Sequence, residues 1–277
     1  MDPKEIEKGI VDSHAHLGWE SFKEDRDDVI KRAFAEGISQ IVQAGVDFVS
    51  LPECLEIAEK YENIFNGVGL HPHEAKHWNA DSADVVRDAF SHPSVVAIGE
   101  CGLDFYYNHS ERETQLQVFR EQVRLCRELN KPLIIHTRDA WDDTFQIIHE
   151  EGKGEVKGVF HCFTGGPAQM PEIERIDFYV SFSGIVTFKK SSDIQAAAPM
   201  VKSSRILVET DSPYLAPEGK RGKRNEPSYV WITAQKLASL RGTDLAEIAE
   251  QTSQNARQLF ALPPRQMAQC SEKPSSK

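Results

Sequence analysis

Short β-branched apolar runs recur along the chain at Ile10–Asp12, Ile38–Ala44, Ile64–Gly69, Val95–Gly99, Leu133–Ile135, Gly158–Phe160, Phe178–Phe182 and Ile206–Val208. Most segments between them carry apolar residues three and four apart. Val29, Ile30, Ala33 and Phe34 share one face of residues 27–35, and Leu116, Phe119, Val123, Cys126 and Leu129 share one face of residues 113–129. The first pattern predicts strands and the second amphipathic helices. Strands alternating with helices require parallel pairing through right-handed crossovers. Eight such units predict an α/β fold of the (β/α)8 TIM-barrel type, in a single domain. A doubly wound open sheet would normally carry a glycine-rich loop after its first strand. Ser13-His14-Ala15-His16 stands there instead.

Two further helices are predicted after the eighth strand, over 227–240 and 244–262. Asp244 with Glu247 three residues on reads as a capping box. Pro263 and Pro264 stop the last helix. Residues 1–264 therefore read as one barrel, followed by a polar, disordered tail over 265–277. No linker or repeat divides the chain.

Composition narrows the class. The 277 residues are 40% hydrophobic and 27% charged, ordinary for a soluble globular chain. The net charge of −11 argues against non-specific coating of DNA, which draws its affinity from Lys and Arg on phosphates. It leaves room for a nucleic-acid substrate met by a local basic patch or by bound cations. Five cysteines without a CxxC pair suggest a reduced, cytoplasmic protein. The first nine residues do not resemble a signal peptide, and no apolar run approaches the roughly 20 residues needed to span a bilayer.

The chemistry lies where the strands end. His14 and His16 are two apart in an extended segment, so both imidazoles point to one face. Alone, this pair is weak evidence for anything. The apolar run at 95–99 leads into Glu100, 133–135 into His136, 158–160 into His161, and 206–208 into Glu209-Thr210-Asp211. Singly, each reads as well as a satisfied core histidine, a buried ion-pair partner or a turn acid. In a (β/α)8 barrel, however, the strand ends meet on one rim, where active sites lie. Six such residues there form a candidate site for divalent cations.

The motifs Ile10-Val11-Asp12-Ser13-His14-Ala15-His16-Leu17, Gly69-Leu70-His71-Pro72-His73, Gly99-Glu100-Cys101-Gly102-Leu103-Asp104, Pro132-Leu133-Ile134-Ile135-His136-Thr137-Arg138, His161-Cys162-Phe163 and Glu209-Thr210-Asp211-Ser212-Pro213-Tyr214 occur in a specific order. In that order the chain resembles the TatD-family metal-dependent deoxyribonucleases of the amidohydrolase superfamily. The resemblance runs from about Ile10 to Phe260. It implies two divalent cations, with His14, His16 and Asp211 on one, His136 and His161 on the other, and Glu100 bridging both. Related barrels bridge with a carboxylated lysine, and Glu at that position favours this family over the phosphotriesterases. The implied reaction is hydrolysis of DNA phosphodiesters by a metal-activated water, exonuclease-like from the 3′ end of single strands. Glu100 and Asp211 are the candidate catalytic residues, Asp211 orienting the water and taking its proton. The family usually carries Asp or Asn after His16-Leu17, where this chain has Gly18.

His71 is implied as a substrate contact. Lys220, Arg221, Lys223 and Arg224 crowd the loop after the eighth strand, where this fold often holds phosphate. Arg221 and Arg224 are thus candidate substrate contacts, and Arg138, two residues beyond His136, is another. Arg138 has a second reading as a partner of Glu209 or Asp104. Asp104, Asn108 and Glu209 are candidates to orient the ligating imidazoles. Cys101 and Cys162, next to ligands along a strand, are expected to point away as core residues. Trp141 is a weaker candidate for base stacking. The mixed donor set accepts Mg, Mn or Zn. DNA is the expected partner, no membrane is involved, and the chain is expected to be monomeric. Two other classes remain open: a hydrolase of a lactone, amide or phosphotriester, and a nucleic-acid-binding scaffold without catalysis.

Overall fold

The computed structural model describes residues 9–264. All eight apolar runs become strands: β1 (Ile10–Ala15), β2 (Ile38–Ala44), β3 (Ile64–Val68), β4 (Val95–Asp104), β5 (Leu133–Arg138), β6 (Gly158–Phe160), β7 (Tyr179–Phe182) and β8 (Ile206–Val208). They form one parallel sheet in the order β1 to β8. The ring closes where the segment after β8 meets β1. His16 N donates to Ser212 O at 2.8 Å and Asp211 N to His14 O at 2.9 Å. The expected (β/α)8 barrel is the observed fold.

The helices between and after the strands are α1 (Arg26–Ala35), α2 (Leu51–Lys60), α3 (Ser82–Ala89), α4 (Arg112–Leu129), α5 (Trp141–Gly152), α6 (Met170–Arg175), α7 (Ser192–Ala197), α8 (Val230–Arg241) and α9 (Leu245–Phe260). Their apolar stripes bury against the outside of the sheet, as Phe119, Val123 and Cys126 of α4 do. Asp244 caps α9 by accepting from Glu247 N at 2.8 Å. The Glu247 carboxylate takes the Thr243 hydroxyl instead of reaching back to the cap, so only half of the expected box forms.

The last helix gives the barrel its direction. Leu259 and Phe260 of α9 pack with Val11, Val42, Phe65, Ile134, Val159 and Leu207 in a second apolar cluster. Val11 N donates to Ser253 Oγ, and Asn255 Nδ2 donates to Ile206 O. The end where the strands begin is thereby sealed, and access is left to the end where they finish.

Two strands run further than the apolar pattern suggests. β4 continues to Asp104 and β5 to Arg138, pairing Gly102 with His136 and Asp104 with Arg138. At Gly102, φ is +132° and a Cβ would lie 2.0 Å from His136 O. Only glycine permits this approach, which holds β4 tightly against β5 at the depth of the candidate ligands. The expected tail at 265–277 lies outside the described residues. No described helix is long and apolar enough to cross a membrane.

Candidate active site

Glu100 stands at the centre of the open end, on β4, and its two oxygens face different groups. Oε1 lies 2.8 Å from His161 Nε2, 3.2 Å from His136 Nδ1 and 3.3 Å from His71 Nε2. Oε2 lies 3.4 Å from His14 Nε2 and 3.5 Å from His16 Nε2. Asp211 Oδ1 approaches the same two atoms, at 3.7 and 3.4 Å. The six expected ligands are therefore gathered in one place, and His71 with them.

Hydrogen bonds fix which ring nitrogens carry lone pairs. His16 Nδ1 donates to Ala44 O at 3.2 Å, so a neutral His16 turns a bare Nε2 into the site. His136 Nε2 donates to Asp104 Oδ2 at 3.1 Å, so a neutral His136 turns a bare Nδ1 toward Glu100. His14 and His16 bring their Nε2 atoms to 3.2 Å of each other. His14 Nδ1 is buried without a hydrogen-bond partner. Converging imidazole nitrogens and two carboxylates form a donor set that suits divalent cations.

His71 is wired the other way. His73 N donates to His71 Nδ1 at 3.1 Å, so a neutral His71 carries its hydrogen on Nε2. Burial holds the imidazole neutral, with its pKa pushed down to about 4. Although His71 clusters with Glu100 and His136, its inward atom is an N–H, which donates to a carboxylate or phosphoryl oxygen and has no lone pair for a cation. The expected role of His71 toward substrate fits this geometry better than ligation does.

Charge is concentrated here. Burial alone would raise the Glu100 carboxyl, but His161, His71, His136 and His14 outweigh it and hold it well below the ordinary range. Asp211 is likewise held down against burial, by His16, His14 and His161. His161 is buried, yet Glu100 and Glu209 raise it well above a normal imidazole. Burial, with His161 alongside, lowers His14. Asp104 accepts from His73 Nε2 and His136 Nε2 on Oδ2, and from Tyr106 N and Tyr107 N on Oδ1. Despite burial, these bonds keep its carboxyl far below its usual range.

A family model described as TatD related DNase matches residues 11–261. The chain belongs to that family. It is 40% identical over 253 residues to the Bacillus subtilis protein described as uncharacterized metal-dependent hydrolase YabD, covering 91% of this chain and 99% of that one. It is 35% identical over 259 residues to the 3'-5' ssDNA/RNA exonuclease TatD of Erwinia amylovora, covering 91% and 100%. The crystal structure of the TatD homologue YjjV from Escherichia coli K12 superposes with a TM-score of 0.86 at 25% identity, covering 92% and 98%.

Within this family frame, several side chains stand elsewhere than expected. Arg224 makes a two-pronged ion pair with Asp25, at 2.8 and 2.6 Å, and lies over the Phe22 ring. Arg221 stacks on Phe188 at 3.9 Å. Neither lines the cavity of about 700 Å³ above Glu100. A run of basic residues marks a charged loop but not the direction of its side chains, and here the two arginines secure the loop. Arg138 does line the cavity, lying over the rings of Tyr106 and Tyr107 at 3.9 and 4.7 Å. Cys101 is in the core as expected, but Cys162 lines the cavity. β6 ends at Phe160 and Cys162 adopts φ +41°, so strand alternation no longer applies to it. A Cβ at Gly18 would lie 3.0 Å from Cys54 Sγ, so the acid or amide usual there has little room.

Two supporting groups stand out. Glu209 is buried, 3.4 Å from His161 Nδ1, and accepts from Cys162 N at 2.6 Å. Asp12 received no role from the sequence. It accepts from Thr210 N at 2.9 Å and Thr210 Oγ1 at 2.6 Å, tying β1 to the segment that carries Asp211. Burial pushes its carboxyl up to about 8. An acid inside the apolar run Ile10-Val11-Asp12 was the available signal.

Proposed function

We propose that this chain hydrolyses phosphodiester bonds of nucleic acid, chiefly single-stranded DNA from its 3′ end, with two divalent cations of magnesium, manganese or zinc. The observation that carries the reading is the division of Glu100, with Oε2 toward His14 and His16 and Oε1 toward His136 and His161. The name of the Erwinia relative, a 3'-5' ssDNA/RNA exonuclease, supports the substrate and polarity.

His14, His16 and Asp211 would hold one cation and His136 and His161 the other, with Glu100 between them. Divalent cations bound there supply positive charge for the phosphodiester and acidify an attacking water. Asp211, ionised through its histidine neighbours, receives the proton of that water at Oδ2, while Oδ1 faces His14 and His16. His71 donates its Nε2 hydrogen to a phosphoryl oxygen. Asp104 keeps the hydrogen of His136 on Nε2, and Glu209 steadies His161 from behind. Arg138, at the cavity wall, pairs with a neighbouring phosphate.

The test is incubation of purified protein with 5′-labelled single-stranded DNA and Mg²⁺ or Mn²⁺, with and without chelator. A ladder shortening from the 3′ end, abolished by chelator, is expected. No chelator-sensitive cleavage overturns the reading.

A further inference from the structure

Among the described residues, six large apolar side chains are exposed: Trp19, Val49, Tyr106, Tyr107, Met200 and Tyr214. Four of the six are aromatic, and these stand at the open end of the barrel. Exposed apolar surface gathered at one concave place marks a recognition site. The four divide into two groups. Trp19 and Tyr214 meet edge to face at 5.9 Å, and each packs against His16, at 6.0 and 6.2 Å. Tyr106 and Tyr107 meet at 4.8 Å beneath the guanidinium of Arg138. Tyr107 also packs against His73 at 5.6 Å and lies parallel to the ring of His109.

Topology sets the two groups opposite each other. Trp19 follows β1 and Tyr214 follows β8, which flank the closing seam of the ring. Tyr106 and Tyr107 follow β4, and Arg138 ends β5. In a ring of eight strands ordered β1 to β8, the seam and the β4–β5 pair lie across the axis from one another. Glu100 stands between them, near His16 on one side and, through His71 and His73, near Tyr107 on the other. Trp19, Tyr107 and Tyr214 line the same cavity as Glu100.

We infer that the two aromatic groups are base-stacking platforms, which seat the unpaired nucleotides on either side of the phosphate lying over Glu100. This rests on the nuclease reading and adds the residues that select the form of the substrate. Every base offers a π-face, so the seat tolerates sequence. A base-paired nucleotide has its faces covered by its stacked neighbours and must leave the helix before it can occupy such a seat. Arg138 adds a cation beside the second platform, where the strand's phosphates would pass. The Tyr106–Tyr107 turn is held in place, because both backbone N–H groups donate to Asp104.

The test is equilibrium binding, read by fluorescence anisotropy of a labelled octathymidylate and of an abasic oligomer with the same backbone. Trp19→Ala and Tyr107→Ala are each expected to weaken octathymidylate binding by about tenfold. Abasic binding should change much less, so the wild-type preference for the base-bearing strand is lost. Trp19→Phe should retain most of it. Met200→Ala, at the far end of the barrel, should leave both affinities unchanged. Equal loss on both oligomers means a general structural effect and overturns the inference, as does unchanged binding. Loss at only one of the two positions overturns the two-sided seat. If oligonucleotides fail to bind while chelator-sensitive hydrolysis of a small phosphodiester persists, the platforms are wrong and the hydrolase reading stands. Absence of that hydrolysis as well removes the reading beneath it.

Discussion

Glu100 and His161 meet at 2.8 Å, Oε1 to Nε2, in a site where the other oxygen of the same carboxylate is turned toward His14 and His16. One side chain thus joins two sets of imidazoles contributed by β1 and by β5 and β6. A neutral amide, with an NH2 group in place of one oxygen, would unbalance both. Glu100→Gln is expected to lower metal stoichiometry below two per chain and to reduce kcat by more than about a hundredfold, the upper range for changing a group that only orients a ligand. Metal analysis after gel filtration, alongside single-strand hydrolysis, checks both. Two tightly held cations in the variant would remove Glu100 from the bridging role.

His71 separates ligation from substrate contact. Its Nδ1 accepts from His73 N, so its Nε2 brings a hydrogen to the site. His71→Ala is expected to raise KM or lower kcat on single-stranded DNA by about tenfold while leaving the Mn²⁺ concentration for half-maximal activity unchanged, the loss of one hydrogen bond to a charged group. A shift of the metal titration with unchanged kinetics at saturating metal would make His71 a ligand instead.

The barrel and the gathering of the candidate ligands at one rim were readable because both follow from short periodicities. Apolar runs of three to seven residues marked the strands, and each of Glu100, His136 and His161 follows such a run directly. That His14 and His16 face the same place is legible from the two-residue repeat of an extended chain. What the sequence hid depends on side-chain direction in loops. Arg221 and Arg224 look like a phosphate patch, yet one lies on Phe188 and the other is held by Asp25, which is 199 positions away. Trp19, Tyr107 and Tyr214 have no shared spacing and become neighbours of one cavity only through closure of the ring. Trp141, the tryptophan singled out for stacking, also lines the cavity but spends its ring on Phe145, Phe160 and Phe163.

The Arg224–Asp25 pair gives a prediction in stability. The hydrogen bond from Arg224 is the largest influence on the Asp25 carboxyl and lowers its pKa. A carboxyl whose folded pKa lies below its unfolded value of about 3.9 stabilises the fold above that pH and loses the contribution as pH falls through the folded value. Both partners are part-exposed, so Arg224→Ala is expected to cost roughly 0.2–1 kcal/mol at neutral pH. The cost should shrink as pH falls below about 4. Urea midpoints of both proteins across pH 7 to 3 test it, and a difference that grows toward acid would contradict the pairing. KM for single-stranded DNA is expected to stay unchanged, since Arg224 does not line the cavity.

In the proposed reaction Asp211 would meet two demands, holding a cation with His14 and His16 and receiving a proton. Asp211→Asn keeps the size of the side chain and an oxygen for His16 while removing the ability to take a proton near neutral pH. The expected result is a kcat lower by about 10² to 10⁴, the contribution usual for a general base. Ligation and proton transfer separate on metal titration. A defect caused only by weakened cation binding disappears at saturating Mn²⁺, whereas the loss of a base persists there. Recovery of wild-type kcat at high Mn²⁺ would therefore reduce Asp211 to a ligand. A persistent defect, with single-strand binding intact by anisotropy, assigns it the proton.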